Sequence, residues 1–166
     1  MSSKRSPPID HMIFKSYNKQ EREIKLYDYV NTSGINEIEQ WLLILKKKNK
    51  IALSKINAKI NILKNIKDPS LMPNILEKVP GSTHLLELKT TGRTSHRIIL
   101  CRGLKTTHGF HDCEGENIIE YTFLMGCQEK DSKYIPENTV SSSESKRKDV
   151  ISDQSNRRKP HEEVRP

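Results

Sequence analysis

Charge placement between Leu85 and Leu100, which read LLELKTTGRTSHRIIL, leaves this chain little choice of strand register. The runs on either side of Gly92 alternate as half-buried strands do, and Gly92 supplies the positive-φ position that a tight hairpin turn needs. A three-residue loop, Gly92-Arg93-Thr94, sets Lys89 opposite Arg97, Leu88 opposite Ile98 and Leu86 opposite Leu100. Leu86, Leu88, Ile98 and Leu100 then share one face, and Glu87, Lys89, Arg97 and Ile99 the other. A loop of even length would put Arg97 among the leucines, where an unpaired charge is too costly to bury. The hairpin therefore carries two cations across from each other on one face. Like charges so placed repel, so the pair needs either a carboxylate, for which Glu87 stands on the same face, or an anionic ligand outside the protein.

A third β-rich run, Asn117–Gly126, is apolar on both sides through Ile118, Ile119, Tyr121, Phe123, Leu124 and Met125, and belongs in the middle of a sheet. Glu23–Val30 (EIKLYDYV) reads as a first strand. Two helical patterns lie between it and the hairpin. Asn36 is placed to cap the first, with Glu39 three residues on in the manner of a capping box. Ile38, Trp41, Leu42 and Leu45 follow at helical spacing, and Lys46, Lys47 and Lys48 sit at the negative end of the dipole. From about Asn49 to Ile66, the spacing of Leu53, Ile56, Ile60 and Leu63 marks a second helix whose apolar face can meet the first. Trp41 reads as core, and Leu76 and Val79 are expected to dock on the sheet. A strand, two helices and three strands give an α+β fold, a helical hairpin packed on one face of a mostly antiparallel sheet of about four strands.

Hydrophobic residues make up 33% of the 166-residue chain and charged residues 30%, so the core of what reads as one domain must be concentrated in part of the sequence. From Glu137 onward, seven Lys/Arg stand against six Asp/Glu, so the body carries nearly all of the net charge of +8. A basic body favours an anionic partner, nucleic acid before membrane, since no long apolar run is present. The eight lysines and no acid from Lys46 to Lys67 form either a solvated helix face or a surface that tracks phosphates. Cys101, Cys113 and Cys127 fit no zinc or redox spacing and read as free thiols of a cytoplasmic protein. The segment with His108, His111, Asp112 and Cys113 reads as a plain hairpin loop, and neither metal nor cofactor is expected. Residues 1–20, without a signal-peptide core, read as a disordered extension. Residues 137–166, polar and nearly free of aromatics, read as a largely disordered tail, of which the part beyond about Lys146 is expected to be dispensable for folding.

Leu85–Lys89 (LLELK), Gly92–Ile98 (GRTSHRI) and Leu124–Lys130 (LMGCQEK), with Lys133 and Pro136 beyond, resemble the signature of the RelE/ParE superfamily of toxins. The nearest branch is the phage-derived, HigB-like one. Lys89 stands where that family has Arg, His96 where it has Tyr, Cys127 where it has Phe, and Glu129 where it has the first Lys of a pair. The resemblance implies a RelE-like fold over residues 21–136, often followed by a short C-terminal helix. It implies the toxin of a type II toxin–antitoxin pair, a metal-independent endoribonuclease that cuts mRNA on the ribosome, with a cognate antitoxin as partner. Its implied site gives Arg97 and Lys130 as phosphate ligands, Lys89 and Lys133 as further cations, and His96 or Tyr134 as proton carriers. Such cations suit the chemistry, because they stabilise the oxyanion that forms when a ribose 2′-hydroxyl attacks the adjacent phosphate. The alternative is a ParE-like or degenerate member that inhibits by binding, gyrase inhibition being one example, and Glu129 favours it. On this reading Arg97 points to solvent, and Arg97→Ala removes activity without unfolding the protein.

Overall fold

A computed structural model describes residues 23–66, 75–92, 94–103 and 118–166. The N-terminal extension and the loop holding His108, His111, Asp112 and Cys113 lie outside them. The elements in order are β1 (Glu23–Tyr29), α1 (Glu37–Lys48), α2 (Lys50–Asn65), β2 (Glu77–Lys78), β3 (Leu86–Lys89), β4 (Ser95–Arg102), β5 (Ile118–Lys130), β6 (Lys133–Ile135), α3 (Thr139–Ser152), a one-turn α4 (Gln154–Arg157) and β7 (Arg158–Pro160). The fold is α+β, with a seven-stranded sheet in the order β2-β3-β4-β5-β1-β7 and β6 paired to β5. β1 runs parallel to β5, and the other pairs are antiparallel. The four expected strands are the long ones. The other three have two or three residues each, too few for alternation to mark them in the sequence.

Local chemistry accounts for the helices. The Asn36 side chain accepts a hydrogen bond from the Glu39 amide at 3.0 Å, and Asn49 closes α1 and caps α2 through the Ala52 amide at 3.0 Å. Ile38, Leu42 and Leu45 of α1 and Ala52, Leu53, Ile56, Ile60 and Leu63 of α2 are buried against Leu88, Ile98, Leu100, Ile119, Tyr121 and Phe123 of the sheet. Leu76 joins this core and Val79 the core on the other face, so both dock as expected. The β3–β4 register is the expected one, with Leu86 opposite Leu100, Leu88 opposite Ile98 and Lys89 opposite Arg97. Gly92 takes a φ of 132° in the turn.

One irregularity redirects the rest of β5. Ile99 pairs with Met125 and Leu100 with Phe123, which leaves Leu124 as an extra residue with no partner on β4. Ahead of it, Ile119, Tyr121 and Phe123 face the helices; after it, Met125 and Cys127 face the opposite side with Leu124. Gly126 thereby comes to lie under α1, where Trp41 rests on its backbone so closely that a Cβ would overlap the indole at Cδ2. Trp41 is half-buried against the main core, as read from its helical spacing.

The C-terminal segment departs from expectation. It is a 14-residue helix, α3, followed by an ordered strap. Val150 is fully buried with Ile99, Leu124 and Cys101 on the second face of the sheet, making a three-layer molecule. The remaining anchors are polar. Tyr29 donates to Asp149 at 2.7 Å, Lys146 reaches Glu37 at 2.8 Å, and Arg158 meets Glu120 at 2.9 Å with its guanidinium over the Tyr27 ring at 3.9 Å. His161 Nδ1 lies 2.8 Å from Asp28, which also accepts from Asn36, and Val164 enters the main core while its carbonyl accepts from Asn57 at 2.8 Å. Composition favours disorder where apolar side chains are few, and these ion pairs and hydrogen bonds with the body supply the difference. Truncation after Asp153 should therefore lower stability by about 3–5 kcal/mol, because buried Asp28 and Glu120 lose their partners. Denaturant melts of the full and shortened chains test this, and coincident melts would show that the strap is dispensable.

Candidate functional site

The residues singled out from the sequence divide between the two faces of the sheet. Cross-strand pairing puts Ser95 with Glu129, Arg97 with Cys127 and Glu129 with Tyr134 on the α3 side, and His96 with Gln128 and Lys130 with Lys133 on the helical-hairpin side. Arg97 and Lys130, the two phosphate ligands expected to act together, are thus on opposite faces.

Arg97 is no exposed cation. Its side chain is 8% exposed, Nη1 is 2.5 Å from Glu87 and Nη2 is 2.7 Å from Glu129, while Nε donates to Ser95 at 3.1 Å. Tyr134 donates to Glu87 at 3.0 Å, and the guanidinium lies 5.9 Å from the Tyr134 ring. Burial works against the Arg97 charge, but Glu87 and then Glu129 outweigh it and keep the group ionised. The repulsion expected between Lys89 and Arg97 is relieved by carboxylates on each, since Lys89 reaches Glu77 at 3.0 Å. The expected cationic face is therefore internally neutralised. Glu129 makes the difference, and the extra residue at Leu124 is what turns it toward Arg97. Tyr134 is a poor base there: burial, then the charge and hydrogen bond of Glu87, push its phenol up, so it stays protonated and donates.

On the other face His96 is 7% exposed. Its Nε2 lies 3.0 Å from Gln128 Nε2; an amide nitrogen can only donate, so Nε2 accepts and the proton resides on Nδ1. Burial first, and then the Lys55 charge, lower the His96 pKa and keep the ring neutral at pH 7. The Trp41 and His96 rings are 6.4 Å apart. Lys130 and Lys133 flank a two-residue turn in which Asp131 and Ser132 both take positive φ. Both lysines are exposed and have no ion-pair partner among the described residues. Gln128 and Lys55 were not legible as site residues. The face of Gln128 is set by the extra residue at Leu124, which leaves no mark in the sequence, and Lys55 is brought in by helix packing alone.

The largest unneutralised charge lies on the helical hairpin. Lys46, Lys47, Lys48, Lys50, Lys55, Lys59 and Lys64 occupy its outer faces, with no carboxylate between Lys46 and Ile66 and no ion pair to any of them among the described residues. Leu43, Ile44, Ile51 and Ile62 are exposed on the same two helices. Among the described residues no helix is long and apolar enough to cross a membrane, and no cluster of His, Cys, Asp or Glu is arranged to hold a metal ion. The Cys101 and Cys127 thiols are free and buried, and burial pushes both up to about 12, so neither is a nucleophile at neutral pH. Comparison with known proteins finds no match to a protein-family model, to a curated protein or to a solved structure.

Two outcomes follow from this geometry. Arg97→Ala should destabilise the fold by about 3–5 kcal/mol, because it strands the buried Glu87 carboxylate beside Glu129; Arg97→Met with Glu87→Gln should recover much of the loss. A melt of Arg97→Ala that matches the parent would restore Arg97 to the solvent-facing role read from the sequence. For His96, the folded pKa lies below the ordinary 6.5, so the unfolded chain takes up the proton first. Stability is then full above pH 6.5 and declines as the pH falls through that value toward the folded pKa. His96→Gln should flatten this slope in melts at about pH 7.5 and 5.5, and an unchanged slope would exclude His96 as its source.

Proposed function

We propose that this chain is a RelE/ParE-type toxin of a type II toxin–antitoxin pair, and that it inhibits by binding the RNA of the translation machinery rather than by cutting it. The observation that carries the binding mode is the contrast between the two charged surfaces. Arg97, the residue that would hold a scissile phosphate in the motif, is occupied by Glu87 and Glu129. The lysines of α1 and α2, by contrast, are free to replace the counterions of a phosphate backbone. Support for the toxin reading comes from the motif residues and from the layout β1-α1-α2-β3-β4-β5 with a following helix, the order the resemblance implies. An acidic segment of a cognate antitoxin would complement the same lysines, and ribosomes and mRNA place the activity in the cytoplasm.

A cleaving version retains one specific support. His96 is neutral, and Lys130 and Lys133, without an ion pair among the described residues, share its face, so release of its Nε2 from Gln128 would give a base beside two cations. The two modes differ in what happens to the message. Expressed without a partner, the protein should arrest growth, and in a translating extract it should stop synthesis without generating new mRNA ends. Replacing Lys46, Lys47, Lys48 and Lys50 with Gln should weaken RNA binding about tenfold or more and reduce its salt slope by about 3–4, with the melting curve unchanged. New mRNA ends abolished by His96→Gln would establish cleavage instead. Inhibition indifferent to the four lysines would remove the RNA-binding surface from α1 and α2.

A further inference from the structure

A cavity of about 320 Å³ opens where the β2–β3 connection, the last residues of β4 and α3 come together. Lys78, His84, Arg102 and Arg147 line it, with Thr83 adding a hydroxyl and Leu85 and Cys101 an apolar wall. We propose that this cavity is a binding site for a small phosphate monoester of mononucleotide size.

Arg147 carries most of the argument. It is 13% exposed, and its Nε is fixed by Glu144 at 2.7 Å, while Glu144 accepts in turn from Ser82 at 3.2 Å. That contact uses one corner of the guanidinium and orients the plane, leaving both terminal nitrogens without a hydrogen-bond partner among the described residues. A guanidinium held at Nε with its terminal nitrogens open is arranged for bidentate contact with an oxyanion. Lys78 adds a second charge with no ion pair among the described residues, since the neighbouring Glu77 is taken by Lys89. No carboxylate is among the described residues that line the cavity. Lys78 and the open side of Arg147 at one opening favour a phosphate dianion over a single carboxylate. The cavity is at the lower end of the size range of small-molecule sites, which suits one nucleoside phosphate and not a polymer. The Cys101 thiol, uncharged at neutral pH, contributes a wall against a ligand's apolar body without repelling its charge.

This site is independent of the proposed toxin function, because it uses neither the α1–α2 lysines nor the Arg97 cluster at the other end of β4. The test is calorimetric titration of the full chain with inorganic phosphate, adenosine 5′-monophosphate and adenosine. Phosphate and the monophosphate should bind, the monophosphate more tightly, and adenosine should not. Arg147→Gln should weaken the monophosphate about tenfold and Lys78→Gln about fivefold, while Lys48→Gln on the helical hairpin leaves it unchanged. If Arg147→Gln loosens α3, seen as a lowered melting temperature, the exposed Lys78→Gln decides alone. Absence of binding at millimolar monophosphate overturns the proposal. So does binding that Lys48→Gln weakens as much as Lys78→Gln, which would mark it as diffuse attraction to a basic protein.

Discussion

The unpaired residue at Leu124 is the constraint on which the arrangement of charge in this protein depends. A strand sends alternate side chains to opposite faces, so one extra residue exchanges the faces of everything beyond it. In β5 that exchange occurs midway. It brings Met125, Cys127 and Glu129 to the α3 side and Gly126, Gln128 and Lys130 to the side of the helical hairpin. An unbroken alternation would set Glu129 on the helical side and leave buried Arg97 with Glu87 alone. It would also drive Cys127 toward Trp41, at the place where only a glycine admits the indole.

A second consequence concerns how a chain so poor in apolar residues covers both faces of a sheet. The α1–α2 hairpin covers one face with an ordinary apolar core. α3 offers little beyond Val140 and Val150, and its hold is electrostatic and hydrogen-bonded: Lys146 to Glu37, Asp149 to Tyr29, and further along Arg158 to Glu120 and His161 to Asp28. Burial raises the Glu37 carboxyl, but hydrogen bonds from Lys146 and Asn31 outweigh it and keep the group below its usual range. A layer held this way depends on fixed positions for its partners. Buried pairs lose more when broken than they contribute over an apolar substitute, so such a layer is specific before it is strong.

Together these features separate the basic charge of the protein into two kinds. On the sheet each arginine named in an ion pair answers a carboxylate brought to it by register or by the C-terminal strap. On α1 and α2 the lysines answer nothing within the described fold. The first kind holds the molecule together, and the second is available to an outside anion. A motif recorded only as residue types treats the two alike, which is why Arg97 reads as a ligand in the sequence and as a structural ion in the fold.

The sequence by itself determined the elements and their pairing wherever local periodicity and charge exclude the alternatives. Examples are the two capped helices, the central place of β5, and the β3–β4 register, in which a slip of one residue would put Arg97 among the leucines of the main core. It also held the ordinary explanation of Lys89 beside Arg97, a carboxylate on the same face, although Glu77 and Glu129 as further partners were out of view. What only the tertiary structure decided were the relations between residues distant along the chain. The skipped residue at Leu124 shows nothing locally, because Phe123, Leu124 and Met125 are all apolar and fit either face. The order of α3 and of the C-terminal strap depends on carboxylates more than a hundred residues earlier, Glu37 and Asp28, to which composition is blind. The helical lysines could be counted from the sequence, but whether any carboxylate of the fold reached them was a question of distance, and distance is set by packing.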